Sequence, residues 1–531
     1  MQITTPASVR CVAAALATLS MGLACIAEAQ LTDRTEAPNT LGAGIAKSLE
    51  QEIGPGVGNV MTPGSSTFLI RRDPARAIRR GRQLFQRKFR IVQGLGPRTQ
   101  DGVGDLDMVG GLGAGVSDSC SGCHGRPRGS AGFGGDVVTR PDSRDAPHLF
   151  GLGLKEQLAD EITADLRAIR AKAQSDARRS GRSVSAQLVS KGISYGTIRA
   201  SANGSLDTGG VQGVDPGLRV RPFFAHGGTI SIREFVVGAL VNEMGLEAVD
   251  PLTLAASKGA RVVTPGGMVL DGALDKVEAP AVQSVSDDHD RDGKLNEIPT
   301  ALVDYFEFYL LNYFKPATYR GSDATRRGAD KFRSLGCTGC HVPELTIAHD
   351  RRDADVETVF DAQRGRFNGL FATAALQFTE SNDGSGFPTL KNPKNGPFVV
   401  RNFYSDLKRH DLGTNFYERN YNGTTQTQFV TTPLWGVGST APYGHDGRSV
   451  NLREVILRHG GEARRARDAF AALGDRDRGY VLEFLESLVL FPPDDTASNL
   501  DPGDPTAAGY PQNGHGSIKL GVLFVDPTDP E

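Results

Sequence analysis

The chain carries Cys337-Thr338-Gly339-Cys340-His341 and, far upstream, Cys120-Ser121-Gly122-Cys123-His124. Each is a C-x-x-C-H run, the spacing by which c-type haem is attached. Two thiols one helical turn apart add to the two vinyl groups of the porphyrin, and the adjacent imidazole lies beneath the iron as proximal ligand. A single copy could equally be half of a zinc site or a redox dithiol. Two copies, in a chain with a leader and no other cysteine beyond it, favour two covalent haems c held by Cys120, Cys123, Cys337 and Cys340, with His124 and His341 on the irons. The expected fold is mainly α: two tandem cytochrome c-like haem domains with long irregular loops and few short strands.

Working outward, the first residues read as a targeting segment. Arg10 precedes an apolar run from Cys11 to Ala27, and Ala27-Glu28-Ala29 has the small-x-small form of a cleavage site, giving a signal peptide over 1–29. The run is too short and too rich in small residues to favour a permanent anchor. Gly22-Leu23-Ala24-Cys25 compares poorly with a lipoprotein box, because Gly is wrong at its first position. Cleavage removes Cys11 and Cys25 and leaves only the motif cysteines. Haem c is attached on the exported side of the membrane, so a periplasmic protein without stable membrane insertion is expected. The net charge of −3 over 531 residues gives no basic footprint for nucleic acid.

The domain reading is an irregular N-terminal segment at 30–72, a first haem domain at 73–318, a second at 319–492 and a surface tail at 493–531. Ala75 to Lys88 reads as an amphipathic helix, matched by Ala324 to Leu335 ahead of the second motif. A Gly-rich insertion, Gly94 to Gly115, separates the first of these from its motif. Lys155 to Arg182 reads as a helix with Leu158, Ile162, Leu166 and Ile169 on one face, the remaining charges suggesting a solvated outer surface. Turns or short strands follow from Gly192 to Val220. Phe223-Phe224-Ala225-His226-Gly227, leading to Ile232-Arg233-Glu234, is echoed by Tyr443-Gly444-His445-Asp446-Gly447, leading to Leu452-Arg453-Glu454. The repeated order argues for internal duplication. An aromatic helix, Leu302 to Phe314, precedes the boundary near Lys315 to Gly321. Helices Ala463 to Leu473 and Asp475 to Leu490, with Asp475 as N-cap, close the fold.

A haem with two protein ligands moves electrons, whereas one with a vacant face can bind a small oxidant. The methionines are Met1, Met21, Met61, Met108, Met244 and Met268, so the second half offers none. His459, on the helix launched by the His445 element, is the replacement; the alternative is a solvent-facing imidazole near a helix end. The equivalent first-half position is Leu240 or Ala239, and neither binds iron. The second haem is thus expected to be closed and the first more open.

Tyr404-Ser-Asp-Leu-Lys-Arg-His410-Asp-Leu-Gly413, Thr432-Pro-Leu-Trp-Gly-Val-Gly438, Thr440-Ala-Pro-Tyr-Gly-His-Asp-Gly447 and His459-Gly-Gly-Glu462 make the likeness specific. The sequence resembles the di-haem oxidoreductase branch, often labelled thiol oxidoreductase-like, of the bacterial di-haem cytochrome c peroxidase superfamily. The likeness runs from about residue 75 to 492 and is stronger in the second half. It implies an N-terminal haem that reacts with peroxide and a C-terminal haem that relays electrons. Its relay ligand falls on His459, in agreement with the reading above. The catalytic acid of an Asn-Pro-x-Glu-Met segment falls on Glu243, in Asn242-Glu243-Met244 with two residues deleted. Met244 could instead ligate and close the first haem, and Glu243 could be an ordinary surface carboxylate.

There are departures. The tryptophan that the peroxidases place between their haems is missing from Phe224-Ala225-His226-Gly227, and the sole tryptophan is Trp435, for which packing is the simpler reading. His226 faces the inter-haem space or is a structural hydrogen bonder. His410 and His445 read as structural, and His148 as a lesser candidate to cap the first haem. Asp288, Asp290 and Asp292, with Gly293, have the spacing of a calcium loop whose twelfth position is Pro299 in place of the bidentate Glu. The likeness also implies an inter-domain calcium held by backbone carbonyls, at Thr440 and Pro442.

The function expected is an exported, peroxidase-like di-haem oxidoreductase. Its partners would be peroxide, or another small oxidant or organic substrate, and a periplasmic electron-donor protein. The alternatives are an electron-transfer cytochrome with both irons six-coordinate and a di-haem oxygenase acting on an organic polymer. Thiol chemistry has no support, because no cysteine is left free.

Overall fold

The structure, a computed structural model, describes residues 48–96, 118–124, 145–290, 292–312, 322–353, 360–361, 366–367, 396–420 and 423–488. The leader, the expected boundary at 315–321, most of the Gly94 to Gly115 insertion and the tail lie outside the described residues. Among the described residues no helix is long and apolar enough to cross a membrane.

Helices dominate, joined by short antiparallel strands. α1 (Pro74–Gln86) opens where the Asp73 side chain accepts from the Arg76 amide and Pro74 supplies a helical φ. α2 (Leu152–Ser180) leads into a three-stranded sheet in the order β1 (Val184–Ser190), β2 (Ile193–Ala200), β3 (Leu206–Asp207). α3 (Ile232–Met244) and α4 (Thr300–Asn312) complete the first half, and α5 (Asp323–Ser334) runs into the second cysteine motif. In the second half β4 (Leu345–Ile347) pairs with β5 (Phe398–Val400), and β6 (Arg409–Asp411) with β7 (Gln428–Val430). α6 (Leu452–Arg458), α7 (Arg464–Ala471) and α8 (Asp475–Glu486) follow. Gly474, not Asp475, caps α8, and Asp475 instead pairs with Arg478 at 2.9 Å within the first turn.

The two halves repeat the same local devices. α1 crosses α4 so closely that a Cβ on Gly81 would meet the Tyr305 carbonyl, and α5 crosses α8 so that a Cβ on Gly328 would meet the Tyr480 carbonyl. Phe85 and Phe332, one turn after each glycine, are both buried. Phe223 bridges Thr229 in one half and Tyr443 bridges Ser449 in the other. Each bridge feeds a capped helix: Ser231 accepts from the Glu234 amide while Glu234 accepts from Ile230, and Asn451 accepts from the Glu454 amide while Glu454 accepts from Val450. These reciprocal bonds satisfy amides that a bare helix start leaves unmet, which is why Arg-Glu recurs at both places.

Gly81→Ala and Gly328→Ala are each expected to lower stability by about 1–3 kcal/mol through overpacking, although alanine is the better helix former. A urea midpoint equal to or above wild type in both variants would show that these crossings have slack.

Two expectations are corrected. Residues 48–72 are not wholly irregular: Leu49–Ile53 is opened by a reciprocal cap between Ser48 and Gln51, and Ser66–Arg72 by Ser65. The high Gly and Pro content hid these brief helices, which tertiary contacts hold, including Ser66 Oγ to Asp304 at 2.5 Å. Nor is the first half of α2 an outer surface, although Lys172, Arg178 and Arg179 toward its end are exposed as expected. Leu158, Ile162 and Leu166 are fully buried, and their cluster takes in Tyr195 and Ile198 of β2 with Leu345, Val400, Phe403 and Trp435 of the second half. Its carboxylates are interface groups: Arg351 bridges Glu156 and Asp160, and Glu161 accepts from the Ala348 and His349 amides. Their partners lie far along the chain, beyond the reach of local periodicity.

Candidate functional site

Cys120–Cys123 forms one turn of α-helix and Cys337–Gly339 one turn of 3₁₀-helix. In both, the histidine amide donates to the first cysteine carbonyl, His124 to Cys120 and His341 to Cys337, each at 3.0 Å. All four thiols are free of disulfides. Burial pushes the Cys120 thiol up to about 12 and the Cys337 thiol up to about 11. An activated dithiol needs the reverse shift, so the geometry does not favour redox exchange.

The three imidazoles expected to bind iron share one anchoring. His124 Nδ1 meets the Pro147 carbonyl at 2.7 Å, His341 Nδ1 the Tyr404 carbonyl at 2.9 Å, and His459 Nδ1 the Val455 carbonyl at 2.7 Å. With its Nδ1 proton committed, each ring presents the Nε2 lone pair, the arrangement that orients metal-bound histidines. Burial depresses the pKa of His124 and His459 and brings that of His341 to about 4, the nearby His459 and His410 charges adding to it there. All three are therefore neutral at pH 7, as a ligand must be. The donor set and spacing fit haem c: a pair of one-turn sulfurs followed by an anchored neutral imidazole, twice over. An aromatic ring packs against each proximal imidazole, Phe235 on His124 (6.2 Å) and Phe332 on His341 (5.9 Å).

In the second half, His459 is the C-cap of α6 rather than a residue within it, and it packs edge-on against Phe416 at 5.3 Å. His410 sits beside Cys340, its Nε2 2.8 Å from Asp406 and its Nδ1 2.8 Å from Glu462. Burial opposes charge on His410, but the Asp406 carboxylate and the Cys340 sulfur outweigh it and hold the imidazole up to about 11. His445 stacks on Phe429 at 4.0 Å and lies 3.1 Å from the Glu418 carboxylate. Sequence reasoning missed the backbone anchors at Pro147, Tyr404 and Val455, since a carbonyl leaves no signature in residue identity. Tyr404 has φ +51°, between Asn402 and Leu407 at +55°. Such left-handed conformations cost on the order of 1 kcal/mol each and cluster at functional sites.

In the first half, α3 runs past His124. Phe235 also packs on Phe223 (6.0 Å) and Phe224 (5.4 Å), and Phe224 stacks on His226 at 6.2 Å. Glu243 is half-buried about two turns further on, about 12 Å along the axis and about 80° around it from Phe235. Met244 is 3 % exposed and belongs to the apolar cluster of Leu240, Leu246 and Tyr309, against which Cys120 packs.

His148 Nε2 meets the Trp435 carbonyl at 3.2 Å, while its Nδ1 is buried without a partner. Trp435 packs on Phe403 at 5.1 Å, and its ring edge lies against Gly151. It therefore stands at the seam between the segment anchoring His124 and the segment anchoring His341, a placement its sequence context could not give.

Burial, opposed by the Trp435 bond, brings the His148 pKa down to about 4. Its contribution to stability is present above the ordinary value of about 6.5 and is lost as pH falls from there toward 4, on the order of 2–3 kcal/mol in all. His148→Gln is expected to flatten the decline in thermal midpoint between pH 7 and pH 4.5, and the same slope in both proteins would exclude His148 as its source.

Asp288, Asp290 and Asp292 lie in one loop as expected, and the fold adds Glu247 to them. Thr440 and Pro442 sit elsewhere, with Thr440 Oγ1 donating to the Gly436 carbonyl at 3.0 Å.

Residues 371–488 match the model of the family described as "Di-haem oxidoreductase, putative peroxidase". This is the family to which the motifs from Tyr404 to Glu462 pointed, and the matched stretch contains all of them and His459. Both C-x-x-C-H runs lie outside it. No curated protein matches the chain.

Proposed function

We propose that the protein is an exported di-haem c-type oxidoreductase of peroxidase type, built as two tandem cytochrome c-like halves, with a C-terminal relay site and an open N-terminal site. The similarity over 371–488 supports the oxidoreductase class, and the leader read from sequence supports export. Haem bound at each site would supply one-electron chemistry and, where a face is vacant, a place for peroxide.

The chain's own residues divide the work. Cys120 and Cys123, and Cys337 and Cys340, would hold the two groups, with His124 and His341, whose rings the Pro147 and Tyr404 carbonyls fix, as iron ligands. His459, anchored in the same manner, would supply a second ligand at the relay site. Glu243 would be the proton carrier for peroxide, a single carboxylate being able both to take a proton and to return one. Trp435 packs the seam between the segments that anchor His124 and His341.

The observation that carries the reading is the asymmetry between the halves. His459 is tethered for Nε2 donation, while the matching positions in α3 are Ala239 and Leu240, the latter 2 % exposed and apolar. Low-temperature EPR of the oxidised holoprotein tests it, together with consumption of H₂O₂ by a reduced donor. One low-spin and one high-spin ferric signal, with peroxide turnover, is expected. Two low-spin signals and no cyanide binding would leave an electron carrier, and carbonyl products from a polymer under O₂ would leave an oxygenase.

A further inference from the structure

We infer that Glu247, together with Asp288 and Asp290, forms a binding site for a hard divalent cation of the calcium class, which pins the end of α3 to the loop that precedes α4. The sequence shows the three alternating aspartates but supplies Pro299 where a calcium loop needs its bidentate carboxylate. The fold brings a further carboxylate, that of Glu247, from a different segment. A carboxylate oxygen of Glu247, one of Asp288 and one of Asp290 all lie within 4.8 Å of one another. Oxygens around a calcium ion at 2.3–2.6 Å are separated by about that much or less.

The inward oxygens are unmatched. Glu247 is 1 % exposed and Asp290 6 %, yet Glu247 Oε2 and Asp290 Oδ2 are buried with no hydrogen-bond partner, as is Asp288 Oδ1. Each carboxylate spends its other oxygen on the backbone: Glu247 Oε1 accepts from the His289 and Asp290 amides, Asp290 Oδ1 from Asp292 at 3.1 Å, and Asp288 Oδ2 from Gly293 at 3.1 Å. The loop is thus held open with one oxygen of each carboxylate turned in. Glu297 adds a further buried oxygen, Oε1, while its Oε2 accepts from the Glu247 amide at 2.6 Å. Among the described residues no lysine, arginine or histidine pairs with Glu247, Asp288, Asp290 or Glu297. Burial and mutual repulsion push Asp290 and Glu297 up to about 7. Buried acidic oxygens without a counter-charge are costly, and coordination to a metal is one of the ways folded proteins relieve that cost.

The position gives the cation a task. Glu247 follows the α3 C-cap Gly245, and the Glu247 carbonyl accepts from Ile298 at 3.0 Å. The Val249 amide donates to Asn296, and the Met244 carbonyl accepts from Gly96 at 2.7 Å. The ion would lock the helix end carrying Glu243. That last consequence rests on the role proposed for Glu243, whereas the site itself does not.

The test uses the holoprotein, stripped with EDTA and then titrated with CaCl₂ or MgCl₂, followed by thermal midpoint and by calcium retained after dialysis. One calcium per chain and a rise in midpoint are expected for wild type, with magnesium weaker. Glu247→Gln and Asp288→Asn should weaken calcium binding by roughly 10- to 100-fold, with the stripped Soret spectrum unchanged. Asp288 lies on the rim, so its variant keeps the test open should Glu247→Gln fail to fold. A wild-type midpoint indifferent to calcium, or a shift and retained ion undiminished in the variants that fold, would overturn the site. Neither measurement depends on peroxide turnover, so failure here is distinct from failure of the catalytic reading.

Discussion

Glu243→Gln is expected to turn over peroxide about 10²–10⁴-fold more slowly than wild type, the range that a positioned acid–base group supplies. Glutamine keeps the shape and hydrogen-bonding capacity of the side chain, so α3 and its C-cap at Gly245 stay intact. What it lacks is an exchangeable proton of suitable pKa. The loss should fall on kcat rather than on KM, since peroxide has little surface to bind, and the EPR signals of both irons should stay as in wild type. Stopped-flow mixing of the reduced protein with H₂O₂ measures the effect directly. A rate within a few-fold of wild type would return Glu243 to an ordinary half-buried carboxylate and leave the first site without its proton carrier.

His459→Ala is expected to convert the low-spin signal of the C-terminal site to high spin, open that site to cyanide and lower donor-driven turnover on the order of 10–100-fold. This is the scale at which loss of groups that hold a metal site is felt. The argument is geometric: the Val455 carbonyl binds Nδ1, Phe416 packs on the ring edge, and the ring is buried beside His341. Added imidazole should restore the low-spin signal, a recovery that a merely structural histidine would not show. An unchanged spectrum in a folded variant removes His459 from the iron. The two variants separate the roles, since Glu243→Gln should slow chemistry with the relay spectrum intact and His459→Ala should do the reverse.

Much of the helical order was legible because its signals are local. Ile78, Leu84 and Phe85 mark α1 within one or two residues of its observed span, and the recurring Arg-Glu pairs mark α3 and α6 because a glutamate at the third helical position closes a cap in both. The aspartate triplet announced an acidic loop. Glu247, which lies beside it, was invisible because it comes from an irregular segment joined to the loop only by tertiary hydrogen bonds. The first half of α2 was misread for the same reason: Glu156, Asp160 and Glu161 have the pattern of a wet face, but Arg351 and the Ala348 amide come from the other half of the chain.

By itself the sequence determined what is set locally: two C-x-x-C-H runs, an amphipathic helix leading into the second of them, and a histidine fourteen residues after His445. These follow from spacing along one chain, which is set by bond geometry. Only the tertiary structure decided which carbonyl anchors each imidazole, that Trp435 stands at the seam against Gly151 and Phe403, and that an acidic residue after α3 completes the aspartate loop. Those choices depend on bringing distant backbone and buried charge together, and their energies exist only once water has been excluded from between them.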